Sequence, residues 1–542
     1  MLPGDFVRRG VFAGKFGKSK QLSSTYPNFF NFSDFPNTTF PIFSTKAKIP
    51  RESYHLGIFN SRRVIFTGYK VLEQAVKDFA ESKDLSAFIG TVNSVVVKLG
   101  QNVIKEELEY YDQLIRERPE RLEHWVVVRK DPKALITSLG TVNFKKTLYK
   151  NKETGENVYL LDSNLGLDPD MRMTDDAVAK LLEEAVQTSY RKGGEAVNQY
   201  DKVTKQTVKN KIHDLDFSKV PKKKPAVKKA VSYLYIEADE DHDFLQFNDK
   251  RGDLEKDERG YKKNCIMTKI VYVHEGVEKV SPDGKRRKLI NPYYFCGTYP
   301  GKENDTLWQE VYDYIDTTYD LTKIKKVYLN SDGGSWIKGA ETHLHGLTKV
   351  LDEFHIEKAL TTMTAGLLDS QDDARQELRE AIRSKSCDEF GKLSEKIINL
   401  ADSDTRAQRI IRNAEYVLGN WTPAKTRLKH AEGVIGCSAE GHVSHILADR
   451  MSSRPLGWSP TGADKIAHLR AYYFNGGDML ELVKAQALPK AAGSEDEIIL
   501  DPRRIEDESL YPSWGKYADL LNHSVSAFGQ KQAWLSAGIS YI

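Results

Sequence analysis

Three acidic residues in this 542-residue chain stand where a strand or turn meets a new element. Asp239 closes the run VSYLYIEAD, Asp332 follows the apolar stretch KKVYLN in SDGGSW, and Glu440 opens the helix-like part of GCSAEGHVSH. Carboxylates are hard oxygen donors, and a few of them converging at strand ends suit Mg2+, with Mn2+ as a substitute; Mg2+ keeps several waters and binds substrate phosphate. Two such ions about 3.5–4 Å apart can activate a water and stabilise the leaving oxygen of a phosphodiester. The residue types point to an enzyme that cuts or joins nucleic acid.

Other residues near these acids admit two readings each. Period-2 alternation puts Glu237, Asp239 and Asp241 on one strand face, so Glu237 and Asp241 rival Asp239 for the first position. Asp332 precedes Gly333-Gly334, which would let backbone and phosphate approach closely; turn chemistry alone is the alternative. His442 and His445 share one helical face and mimic a zinc pair. No further Cys or His is spaced to complete such a site, which leaves structural or DNA-contacting histidines. Asp352 and His355 in DEFH would orient water or contact phosphate, unless His355 is a satisfied half-buried histidine. Trp421 in GNWTP would stack on an unpaired base or pack in a core. Arg450 and Arg454 flank a Met-Ser-Ser turn, where they would meet a DNA backbone.

The elements that must position these residues follow from periodicity. Residues 69–120 have helical spacing for two or three amphipathic helices. Short β-branched runs follow (WVVVRK, ALITSLGTVNFKKTLYK, ENVYLLD), with the turn signal Asn-Lys-Glu-Thr-Gly, and predict a small hairpin. MTDDAVAKLLEEAVQTSYRKGGEAVNQY reads as two helices, with Thr174 as N-cap and Gly193-Gly194 as breaker. VTKQTVKNKIHDL then has the look of a helix-turn-helix recognition helix: Lys205, Gln206, Thr207 and Lys209 would face base edges and phosphates. An ordinary surface helix is the alternative. Beyond a Lys/Pro linker (216–230), three strands, a helix and a fourth strand give the element order of a ribonuclease-H-like core, in which the first and fourth strands are neighbours. Residues 357–430 read as an all-helical insertion, 431–490 as the rest of the core with its Glu, and 491–542 as a tail with no assignable chemistry. The first 55 residues, rich in Phe, Ser, Thr, Asn and Pro, read as a poorly ordered extension.

Composition narrows little. Lys plus Arg (80) nearly balance Asp plus Glu (77), although basic residues cluster at 222–229 and 285–288. Such runs are counter-charges for phosphate or solvated loops. The four cysteines form no paired motif, which fits a reducing compartment. No apolar run is expected to approach the roughly 20 residues of a membrane span.

The strings YIEADEDH, LNSDGGSWI, VLDEFHIEKAL and GCSAEGHVSHILADRMSSRPLGWS resemble the ISLre-type insertion-sequence transposases, as do TSLGTVNFKKTLY, VYLLDSNLGL, SYRKGGEAV and VTKQTVKNKI further upstream. The resemblance runs from about residue 69 to 476. It implies a DDE transposase whose catalytic and metal-holding triad is Asp239, Asp332 and Glu440, and Asp352–His355 is similar to a DxxH pattern of related transposases. It also implies double-stranded DNA partners (terminal inverted repeats and target), a homodimer or higher assembly on DNA, and a bacterial, cytoplasmic, nucleoid-associated setting. The fold it implies is α/β: a ribonuclease-H-like core with a helical insertion, behind a mainly helical DNA-binding region (56–215) with a hairpin. The core's first part would be residues 231–356. A nuclease of the same fold without transposition, or an inactive DNA-binding derivative, are the rival readings.

Overall fold

A computed structural model describes residues 55–168, 170–222, 224–246, 264–284, 286–453 and 456–487. The expectations for the extension through residue 54, for the tail 491–542, and for Arg454 lie outside them. The fold is mixed α/β.

Helices His55–Ser82, Leu85–Glu117 and Pro119–His124 lead into a hairpin of β1 (Trp125–Thr137) and β2 (Gly140–Asn151), with a short β3 (Asn157–Val158) on β2. The hairpin is longer than expected and turns elsewhere. WVVVRK and ALIT are one strand, joined to β2 through Ser138-Leu139, and Gly140 takes φ +118°. The Asn-Lys-Glu-Thr-Gly turn connects β2 to β3 instead, and Leu160–Leu165 is helix, not strand. The helix Leu85–Glu117 also corrects the reading of apolar runs: over 18 residues its mean hydropathy reaches 1.2, enough by length and composition to cross a membrane. Its C-terminal part packs on the hairpin, where buried Asp112 accepts from Thr147 N at 2.8 Å.

Five strands form the main sheet: β4 (Tyr233–Phe244), β5 (Cys265–His274), β8 (Tyr293–Gly297), β9 (Lys326–Ser331) and β10 (Leu347–Leu351). Two short strands, β6 (Val277–Lys279) and β7 (Arg287–Leu289), form a separate ribbon in the basic turn. The sheet order is β10-β9-β4-β5-β8, parallel across β10-β9-β4 and antiparallel across β4-β5-β8. Strand β5 is buried along most of its length because both sheet faces are covered. One face carries Leu234, Ile236, Ala238, Val271 and Val273 against helix Glu303–Thr318. The other carries Ile270, Tyr272, Tyr294 and Cys296 against Ile446, Leu447, Met451 and Ile466.

That second core also takes in Val178, Leu181, Leu182, Val208 and Ile212. Residues 173–215 therefore share a core with the sheet, where the sequence placed them in a preceding DNA-binding region. The expected helix break at Gly193-Gly194 is absent, since both lie inside helix Tyr190–Glu195. Their reason is close packing: a Cβ on Gly193 would stand 2.7 Å from Ala185 Cβ, and one on Gly194 2.2 Å from Val203 O. Helices Gln371–Ser384, Cys387–Asn399, Asp404–Gly419 and Trp421–Leu428 enclose their own apolar core beside β10.

Candidate active site

Strand register sets the first two acids. In the parallel pair β4-β9 the last matched residues are Ala238 and Ser331, so Asp332 follows the end of β9 beside Asp239, which stays within β4 opposite Ile270 of β5; the strand expected to close at Asp239 continues to Phe244. Ser331 also pairs with Leu351 of β10, which brings Asp352 to the same level. Beyond Asp332 the chain turns sharply. Gly334 N donates to Asp332 Oδ1 at 2.8 Å, and Tyr416, on the inserted helix Asp404–Gly419, donates its hydroxyl to Asp332 O at 2.6 Å. Gly333 has φ +86°, and a Cβ there would stand 2.5 Å from Asn420 Oδ1. The helical insertion thus braces the Asp332 turn.

Strand β4 buries carboxylates on one face: Glu237 and Asp243 are inaccessible, Asp239 is 9% exposed and Asp241 half-buried. Each needs a partner or a shifted pKa. Glu237 accepts from Tyr272 OH, from Ser438 N (2.7 Å) and Ser438 Oγ (3.1 Å), and faces His274 Nε2 at 3.2 Å. Burial pushes its carboxyl up, but His274, Tyr272 and Ser438 outweigh it and hold it below the usual range. Asp241 accepts from Ser452 Oγ at 2.6 Å. Asp243 accepts from Thr268 and is raised to about 6, chiefly by burial. The two rivals of Asp239 are therefore taken up by Ser438 and Ser452, near opposite ends of the Glu440 helix.

Among the described residues, only the Glu240 backbone N–H donates to the Asp239 carboxylate, at 2.9 Å. Burial first, then the negative charges of Asp332 and Glu440, push it up to about 7, against the pull of that N–H and of His355. The same interactions place Asp332, Glu440 and His355 each within electrostatic reach of Asp239. His355 is raised by its hydrogen bond to Asp352, at 3.1 Å, and by Asp332 and Asp239. Asp352 also caps helix Glu353–Thr364. Glu440 is exposed, in the first turn of a helix that widens to π geometry over Val443–Ala448. Such turns leave carbonyls to be satisfied from outside the helix and recur at functional sites. Here buried Arg470 donates to His445 O (2.7 Å), Ile446 O and Val186 O (2.7 Å).

Among the described residues, no three His, Cys, Asp or Glu side chains are gathered tightly enough to hold a metal ion as they stand. The donors nonetheless fit a hard divalent cation, since they are carboxylates whose mutual repulsion such an ion would offset. His442 and His445 do not fit zinc. His442 stacks on Tyr294 and lies against Tyr272, with Nδ1 at 3.0 Å from Ser438 O, and His445 is exposed.

The expected DNA contacts are scattered. Lys205 and Gln206 are exposed and Thr207 and Lys209 half-buried on helix Lys205–His213, but residues 196–204 precede that helix where a short turn was expected. With Arg191, Lys205, Gln206 and Lys209 line a cleft of about 580 Å3. Arg450 is 5% exposed, donates to Ala185 O and lies over the Trp458 ring at 4.9 Å, so burial removes it from a DNA backbone. Trp421 packs beside Phe390 at 5.6 Å in the insertion core, the apolar alternative. Sequence reasoning missed Tyr416 and Arg470, whose roles depend on contacts remote in sequence.

Comparison with known proteins gives one family. The profile of an uncharacterised protein family, UPF0236, matches residues 80–486. Two UPF0236 proteins of Caldanaerobacter subterraneus subsp. tengcongensis are similar. One is 34% identical over 74% of this chain and 80% of its own, the other 33% identical over 76% and 83%. Their names join eleven and four loci of that strain respectively. A solved structure, the Drosophila P element transposase strand transfer complex, matches at 12% identity over 56% of this chain and 79% of that one. Its TM-score of 0.19 is too low to support an argument.

Proposed function

The chain belongs to the uncharacterised protein family UPF0236, and from that premise and the site's geometry we propose that it is a DDE transposase of an insertion sequence. The reaction is metal-dependent cleavage of DNA at the element's ends, followed by attack of the freed 3′-hydroxyl on target DNA. The observation that carries the reading is the position of Asp239 on β4 beside Asp332 at the end of the neighbouring parallel strand, with the charge of Glu440 felt at Asp239. The sheet order supports a ribonuclease-H-like core. Relatives encoded at eleven and at four loci of one strain add support, because repeated copies are what a mobile sequence leaves behind.

Asp239, Asp332 and Glu440 would hold Mg2+, which when bound supplies water activation and charge neutralisation at the phosphodiester. Asp239 is the proton-sensitive member: its anion grows as pH rises through about 7. Asp332 is fixed in its turn by Gly334 and Tyr416. His355, hydrogen-bonded to Asp352, would contact a phosphate. Neither step forms a protein–DNA bond, so no Ser or Tyr nucleophile is required. Helix Lys205–His213 would contact terminal repeats, and cutting two ends together requires a dimer or higher assembly.

The test is Asp332→Ala on end-bearing duplex with Mg2+ or Mn2+. Nicking is lost while end binding persists; retained cleavage removes Asp332 from the mechanism. Wild-type cutting without strand transfer selects a nuclease, and binding without any nicking selects an inactive derivative.

A further inference from the structure

Asp239 has a carboxylate two residues away on either side, both facing the Glu440 helix. We propose that Glu237 and Asp241 are positioning residues, a two-point clamp that fixes the Glu440 helix against the strand carrying Asp239. Glu237 takes Ser438 by backbone N–H and hydroxyl, two residues before Glu440, and Cys437 Sγ lies 3.4 Å from the same oxygen. Asp241 takes the hydroxyl of Ser452 beyond the helix's far end. Alternate residues on a strand share a face about 6.8 Å apart, so the two anchors bracket Asp239. An ionised carboxylate without solvent contact is a poor packing residue, and its worth lies in directed hydrogen bonds. Glu237 spends its bonds on β5, through Tyr272 and His274, and on the segment leading into Glu440. The wider π turn inside the clamped helix is held independently by Arg470. The clamp sets how Glu440 faces Asp239, and so how the two share a cation.

The consequence for cation binding rests on the proposed metal site, whereas the clamp itself does not. Hydrogen exchange of the full chain separates them. In Glu237→Gln, and separately in Ser452→Ala, amides of 438–452 should exchange about 10-fold faster, the scale of one lost charged hydrogen bond, with Asp404–Gly419 unchanged. Ser452→Ala carries the test if Glu237→Gln fails to fold. Unchanged exchange in 438–452 overturns the clamp. Mn2+ titration followed by electron paramagnetic resonance then reads the consequence. Glu237→Gln should weaken Mn2+ binding about 10-fold in the wild-type background but leave it unaltered in Glu440→Gln, because coupled residues act through one interaction. An equal loss in both backgrounds overturns positioning through Glu440. Failure of the wild type to bind Mn2+ refutes the cation site, while the exchange result still decides the clamp.

Discussion

Replacing Asp239 with asparagine should stabilise the protein in the absence of divalent cations, and by an amount that depends on pH. The ordinary carboxyl value of 3.8 is raised to about 7 in the fold, by burial and by Asp332 and Glu440. A raised acid favours the protonated form, so its stability is complete below the unfolded value and is lost as pH rises to about 7. Linkage puts the loss at about 2 kcal/mol at pH 5 and about 4 kcal/mol at pH 8. Asparagine keeps the shape and the acceptor for Glu240 N but carries no charge. For a cooperative unit of about 400 residues, the variant should melt about 2 °C above wild type at pH 5 and about 5 °C above it at pH 8. Thermal unfolding in EDTA at both pH values measures this. Mg2+ should then raise the wild type's melting temperature at pH 8 and leave the variant's nearly unmoved. A variant less stable than wild type at pH 8, or a difference independent of pH, would refute the charge argument.

Two further perturbations probe what holds the site. Arg470→Leu leaves the carbonyls of His445, Ile446 and Val186 unpaired in a buried place and should cost about 3–5 kcal/mol in denaturant unfolding; a cost under about 1 kcal/mol would show that the π turn does not depend on it. Gly333→Ala forces a side chain to φ +86° against the Asn420 amide and should cost about 1–3 kcal/mol, part of it recovered in Gly333→Ala/Asn420→Ala, so a neutral single variant would contradict the bracing of the Asp332 turn.

What was legible in the sequence was local. An acid after an apolar strand and before paired glycines marks Asp332 without any structure, and period 2 puts Glu237, Asp239 and Asp241 on one face. Which of the three accepts no side-chain donor among the described residues is a question about Ser438 and Ser452, far away in the chain, and alternation cannot answer it. Gly193-Gly194 misled for a similar reason: glycine signals a break only when nothing packs against it, and here Ala185 and Val203 do. Arg450 was read by residue type as a nucleic-acid contact and Trp421 as either a stacking or a core residue, but type reveals neither the burial of Arg450 nor the packing of Trp421 on Phe390.

The acidic face of β4 is costly by itself, which makes its partner pattern informative. Glu237, Asp241 and Asp243 each accept a side-chain hydroxyl. Asp239, in the middle, has among the described residues a single backbone donor and two like charges nearby. A fold selected for stability alone would place Asn, Ser or an apolar residue there, since the charge is resisted at neutral pH. Keeping an aspartate at that one position, between two clamped neighbours and beside Asp332, makes sense when something positive arrives to be held.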